Sequence, residues 1–240
     1  MSYRLLSHFP DPSKPARAGI LLGERLLDLE AAIKASMERP VAFDATSTLA
    51  VLQSWLHAEP ILKAIDAAGG AGIASRPVKE VALAAPILYP RTLYCAAANY
   101  QDHFHEMLGH DVDKSKIKPY FFLKVSHQAI IGTGADIRKP HITQKLDWEA
   151  EIADPQNLAI KTWVNGNLEQ DTHSKFMIFS VAEQIEALSE HMTLLPGDVI
   201  ATGTGAGVGA RKNRFLNAGD AVRIAIDGLG TLENPVRAGE

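Results

Sequence analysis

At 240 residues with a formal net charge of −4, the chain is long enough for one large domain or a small one joined to a larger one, and it has no basic excess to attract nucleic acid or an anionic membrane surface. Cys95 is its only cysteine, which excludes an internal disulfide and a thiolate zinc site; lying in the apolar run Leu93-Tyr94-Cys95-Ala96-Ala97-Ala98, it reads as a buried thiol in a reducing, cytoplasmic setting. No apolar stretch approaches the roughly 20 residues of a membrane span, and the N-terminus shows no secretion-signal pattern.

Residues 1–88 read as a small α+β domain. Tyr3-Arg4-Leu5-Leu6 and Ala18-Gly19-Ile20-Leu21-Leu22 are short strands, and Gly23-Glu24 is a turn before Leu26-Leu27-Asp28-Leu29. Helical periodicity follows around Glu30 to Met37 and Leu49 to Ala67, and Pro60 predicts a break in the second. His8 and His57 are isolated and read as surface or packing residues. No catalytic constellation is visible here.

Residues 89–240 read as a larger, β-rich domain. The run ending at Ala98 is a buried strand, and Asn99 to Met107 is a loop entering a short helix. There His103 and Glu106, at i and i+3, face the same way. A carboxylate beside an imidazole holds its tautomer and raises its basicity, which suits a general base acting on water. The competing reading is a surface helix in a His-rich segment, since His105 and His110 lie close by. Pro119 to Lys124 is an aromatic strand whose terminal Lys124 either meets an anionic substrate or is simply solvated.

In Leu146 to Ile152 acidic and apolar residues alternate, so an extended strand projects Asp147, Glu149 and Glu151 from one face. Either water solvates that face or a divalent cation sits on it. A turn at Asp154-Pro155-Gln156-Asn157 leads to a strand at Leu158 to Val164, and Asn165-Gly166 is a hairpin signal. Ser180-Val181-Ala182-Glu183 is a capping box for a helix to about His191. The strand Val199 to Thr202 then opens into Gly203-Thr204-Gly205-Ala206-Gly207-Val208-Gly209. These glycines permit close approach to a ligand, with Thr202 and Thr204 offering hydroxyls and N–H groups to an anion; a tight structural loop is the alternative. No dinucleotide fingerprint follows. A terminal hairpin spans Ala221 to Leu232.

Together, Asn99-Tyr100-x-x-His103-x-x-Glu106, Phe122-Leu123-Lys124, Asp147-Trp148-Glu149-Ala150-Glu151, Trp163-Val164-Asn165-Gly166 and Thr193-Leu194-x-Pro196-Gly197-Asp198-Val199-Ile200-Ala201-Thr202-Gly203-Thr204 resemble the fumarylacetoacetate hydrolase family, in its small bacterial acylpyruvase-like form. The resemblance implies an α+β, β-rich fold, with a mixed β-roll as the catalytic domain beside the small N-terminal one, usually in a homodimer. It implies a divalent metal, Mg²⁺ or Mn²⁺ with Ca²⁺ as an alternative, held by Glu149 and Glu151 with Asp147 flanking; oxygen ligands independently point to a hard cation. It also implies a small 2-oxo or 2,4-dioxo acid substrate met by Tyr100, Lys124 and Thr204. Carbon–carbon bond hydrolysis then follows, with His103 activating water and Glu106 supporting it. Decarboxylation of oxo acids and isomerisation or hydration of dienoic diacids use the same logic, and a non-catalytic dimeric binding protein is the reading from another class.

The sequence also departs from the family. Members continue the acidic strand through an apolar run and a helix to a further strand bearing a third metal-binding aspartate, an arginine and a lysine. Here Ala153 is joined directly to Asp154. Either a piece of the catalytic core has been lost, or an internal segment is left out of the sequence; the cost of unpaired core strands favours the second.

Overall fold

The computed structural model describes residues 3–141, 143–146 and 157–239, apart from the side chains of His127 and Gln128. The acidic strand, with Asp147, Glu149 and Glu151, and the Ala153-Asp154 junction lie outside the described residues. The chain divides into two units: Met1–Arg91 with Val125–Gly132 and Leu195–Asp198, and Thr92–Lys124 with Thr133–Leu194 and Val199–Glu240. Among the described residues no helix is long and apolar enough to cross a membrane.

The first unit contains β1 (Tyr3–Phe9), β2 (Arg17–Leu22), β3 (Arg25–Asp28), β4 (Arg76–Pro77) and β5 (Ala82–Leu83), paired antiparallel in the order β4-β3-β2-β1-β5. Alternation along β2 serves both faces: Ala18 and Ile20 join the main core, while Leu21 joins a smaller cluster with Leu26 and Val81. Three helices, α1 (Leu29–Ser36), α2 (Thr48–Gln53) and α3 (Trp55–Ala67), complete the main core with Leu29, Val51, Ala58, Leu62 and Ile65. His8 packs in this unit, buried 4.0 Å from Asp28, and burial lowers its proton affinity against the opposing pull of Asp28. His57 is exposed.

Pro60 does not break the helix that contains it. The break falls at Ser54, which closes α2 and opens α3 with φ −108° and ψ 27°. The amide that Pro60 lacks would have bonded the carbonyl of Leu56, four residues back and in the first turn. Leu56 is highly exposed, so water can satisfy that carbonyl.

In the second unit β6 (Leu93–Ala97) leads to α4 (Gln101–Leu108), then to β7 (Tyr120–Lys124), β8 (Ile137–Lys139), β9 (Ala159–Val164), β10 (Asn167–His173), β11 (Val199–Ala201), β12 (Ala221–Ile226) and β13 (Gly230–Ala238). They form a five-stranded sheet, β10-β9-β12-β13-β8, and a three-stranded one, β11-β6-β7, in which β6 runs parallel to β11 and antiparallel to β7. The β9–β10 turn is Asn165-Gly166, with φ of 51° and 78° as a two-residue hairpin requires. The architecture is mixed α+β and sheet-rich, as the resemblance implies.

The helix Val181–Ser189 carries the capping box in full: Ser180 Oγ accepts from the Glu183 amide at 3.3 Å, and Glu183 Oε2 accepts from the Ser180 amide at 2.8 Å. Hydrogen bonds from Lys114 and then from Ser180 hold the Glu183 carboxyl down at about 2. Replacing Ser180 by Ala lowers stability by about 1 kcal/mol, which denaturant titration can measure; an unchanged midpoint would count against the cap.

Candidate active site

The loop between β6 and α4 is pinned by one buried side chain. Asn99 Nδ2 donates to the carbonyls of Phe179 (3.1 Å) and Thr202 (2.9 Å), and its Oδ1 accepts from the Phe179 amide at 2.8 Å. This ties the start of α4 to the end of β11. Tyr100, the next residue, is wholly buried at the N-cap of α4 and bridges to Met177, so in this conformation its side chain packs rather than faces solvent.

One turn into α4, His103 Nδ1 lies 3.3 Å from Glu106 Oε2. The His103 side chain is 14% exposed and that of Glu106 23%, so both are sheltered yet reachable. The Glu106 carboxylate also accepts from the Gly207 amide, 3.2 Å from each oxygen. Arg211 Nη2 donates to the Glu106 carbonyl at 2.9 Å, satisfying one of the acceptors left free at the end of α4. Thus the helix and the glycine loop, a hundred residues apart in sequence, meet at this carboxylate.

A third element, β10, organises the loop. Leu168 pairs with Trp163 but Gln170 pairs with Thr162, so Glu169 is an extra residue, a β-bulge. The bulge turns Glu169 and Gln170 inward in succession, and Thr172 follows on the buried side. Gln170 Nε2 donates to Thr204 Oγ1 (3.0 Å) and the Gly205 carbonyl (3.1 Å). Thr172 Oγ1 donates to Asp102 Oδ2 at 2.5 Å. Protein atoms already fill the space beside two of these glycines: a Cβ on Gly205 would stand 2.2 Å from Thr172 Oγ1, and one on Gly207 2.2 Å from the Glu169 carbonyl oxygen. Thr204 is therefore buried within a loop that packs on β10.

Glu169, its side chain 3% exposed, accepts from Lys212 Nζ at 2.8 Å and Arg214 Nη1 at 2.7 Å. Burial pushes its carboxyl up, and these two cations more than reverse that, leaving it below the ordinary 4.5. A depressed folded value means stabilisation that is full above about pH 4.5 and is lost as pH falls through the folded value. Melting temperature should therefore fall more steeply below about pH 4.5 in the wild type than in Glu169→Gln; equal slopes would remove Glu169 from the acid response.

Of the residues read from sequence, the structure brings His103 and Glu106 together and places Thr204 in the loop that meets Glu106. It does not bring Lys124 to them. Lys124 pairs with Leu93 at the start of β6, whereas α4 departs from the other end, past Ala97, about 13 Å along the strand. Sequence reasoning missed Asp102, Gln170, Thr172 and the Glu169 cluster. Gln170 and Thr172 share a face by two-residue alternation, the one signal that could have found them. For the metal, Glu149 and Glu151 lie outside the described residues. Among the described residues no group of three or more His, Cys, Asp or Glu can hold an ion.

The family model for the C-terminal domain of fumarylacetoacetate (FAA) hydrolase matches residues 92–154 and 151–237. The mitochondrial oxaloacetate tautomerase fahd2 of Xenopus laevis is 30% identical over 224 residues, covering 65% of this chain and 69% of that protein. Among solved structures, the fumarylacetoacetate hydrolase of Exiguobacterium antarcticum superposes with a TM-score of 0.78 at 24% identity, over 99% of this chain and 100% of that one. The maleylpyruvate hydrolase of Sphingobium sp. SYK-6, in complex with manganese (II) ion and pyruvate, superposes with a TM-score of 0.73 at 22% identity, again over 99% and 100%. On this match, and on the paired β6–α4 and glycine-loop elements that lie inside it, the chain belongs to the fumarylacetoacetate hydrolase family.

Proposed function

We propose that the chain is an enzyme of short 2-oxo acids that hydrolyses a carbon–carbon bond in a 2,4-dioxo acid of the acylpyruvate or fumarylpyruvate type. The observation that carries this is the His103–Glu106 pair at 3.3 Å with Glu106 fixed by the Gly207 amide. Glu106 accepts from His103 Nδ1–H, which leaves the Nε2 lone pair as the base. His103 Nε2 takes a proton from water, and the hydroxide adds to the distal carbonyl. The carbon–carbon bond then breaks, its electron pair passing to the enolate of the 2-oxo acid, which His103 reprotonates. The glycine loop, with Thr204, is proposed to receive the substrate carboxylate, and Tyr100 and Lys124 remain weaker candidates for substrate contact. A divalent cation, Mg²⁺ or Mn²⁺, on Glu149 and Glu151 would supply Lewis acidity to the 2-oxo acid end; the manganese in the Sphingobium structure supports this.

A second reading, keto–enol tautomerisation of oxaloacetate, is supported by the Xenopus relative. It needs only the same base moving a proton between carbon and oxygen. The two stretches of the family match meet at residues 151–154, which supports a sequence shortened at that point relative to the family. If the third carboxylate is absent, a non-catalytic homodimeric binding protein becomes the better reading. The test is a spectrophotometric assay of acylpyruvates and oxaloacetate with and without Mg²⁺ or Mn²⁺, alongside metal titration. Metal-dependent acylpyruvate cleavage supports the first reading, loss of the enol signal from oxaloacetate alone the second, and weak metal binding without turnover refutes both.

A further inference from the structure

We propose that the bulged face of β10 is a positioning device for the proton-handling pair, with Gln170 and Thr172 as positioning residues; this rests on the reading of His103 and Glu106 given above. Two residues apart on the buried side of one strand, they reach the two elements that must meet for the pair to form. Gln170, 1% exposed, spans the loop with its amide nitrogen, bonding Thr204 Oγ1, the Gly205 carbonyl and, at 3.4 Å, the Ala206 carbonyl. The next amide in the chain is that of Gly207, which holds the Glu106 carboxylate. Thr172 holds the other side: its hydroxyl bonds Asp102 Oδ2, and Asp102 Oδ1 accepts from the His103 backbone amide at 2.9 Å.

One strand thus sets where the Glu106 partner sits and where the His103-bearing turn sits. The bulge at Glu169 lies close under the loop: a Cβ on Gly207 would fall 2.2 Å from the Glu169 carbonyl oxygen and 3.1 Å from the Gln170 Cα. Gln170 and Thr172 are neutral, so what they supply is distance and direction rather than charge. If either bond is lost, Glu106 can turn from His103 with the fold intact. Plain glue between strand and loop would instead alter stability and leave the chemistry of the folded fraction unchanged.

The experiment uses the full-length chain with acetylpyruvate and oxaloacetate as substrates in the presence of Mn²⁺, comparing Thr172→Val, Thr172→Ser, Gln170→Met and Glu106→Gln. Thr172→Val and Gln170→Met should lower kcat about 10- to 100-fold, with KM within about twofold. Thr172→Ser should restore most of the loss, and either substitution should add little in a Glu106→Gln background. Unchanged kcat in variants that merely melt earlier, or losses that add fully to that of Glu106→Gln, would overturn the proposal. If the wild type turns over neither substrate, the functional reading fails separately, and the His103 ring resonances decide this one. Thr172→Val and Gln170→Met should change the His103 ring nitrogen shifts, which report the Nδ1 hydrogen bond, in the sense that Glu106→Gln does, with Thr172→Ser leaving them in place; ring shifts unchanged in both variants would overturn it.

Discussion

On the proposed mechanism, replacing His103 by Ala should lower turnover of a 2,4-dioxo acid by about 10²- to 10⁴-fold, the range a positioned general base contributes, and should leave Mg²⁺ or Mn²⁺ binding unchanged. The imidazole is 14% exposed and its Nδ1 lies 3.3 Å from Glu106, which in the proposed tautomer leaves Nε2 to act on water. Glu106→Gln should fall between the wild type and His103→Ala, because an amide can still accept from Nδ1–H but no longer stabilises the imidazolium charge. Steady-state kinetics with a parallel metal titration by calorimetry separates the two functions. Full activity in His103→Ala would remove the imidazole from the mechanism; lost metal affinity in that variant would make it a ligand instead.

Gly207→Ala should destabilise the protein by about 3 kcal/mol, from overpacking of about 1–3 kcal/mol and a backbone conformation that costs an L residue roughly 1–3 kcal/mol. The added Cβ meets a backbone oxygen of a bulged strand, at 2.2 Å, and Gly207 has φ +100°. That oxygen cannot swing aside as a flexible side chain would, so the loop has to lift from β10 and take its amide away from Glu106. For a chain of this length the fall in melting temperature is about 6–12 °C. Gly219 provides the control, since it has φ +99° with no atom within 4 Å of its ideal Cβ. Gly219→Ala isolates the conformational part, and equal losses at the two positions would deny the packing argument.

The local signals in this sequence were the legible ones. Asn165-Gly166 states its turn because two successive positive φ values suit few residues, and Ser180 with Glu183 states a helix start because reciprocal capping needs that spacing. His103 and Glu106 were legible for the same reason: a helix brings i and i+3 together whatever surrounds it. Features that depend on a partner were not. The bulge at Glu169 exists only relative to the register of β9, and the charge cluster it turns inward joins residues over forty positions apart. The glycines left a ligand-facing loop and a structural one both open, because sequence shows the missing side chains but not what occupies the space beside them. Pro60 misled because the rule against helix-interior proline assumes that the freed carbonyl is buried, and the neighbourhood of Leu56 is wet.

The parallel pairing of β6 with β11 sets when the site can come into being. Leu93 pairs with Val199, the Asn99–Thr202 bond spans 103 positions and the Glu106–Gly207 bond spans 101. Closing a loop of that size brings its entropy cost before any of these contacts can form, and parallel strands so distant in sequence pair slowly. A nascent or partly opened chain therefore holds α4 without the amide that orients Glu106. Hydrogen exchange at Gly207 then reads opening of the whole second unit rather than fraying of a loop, and the active fraction follows the folded fraction of that unit.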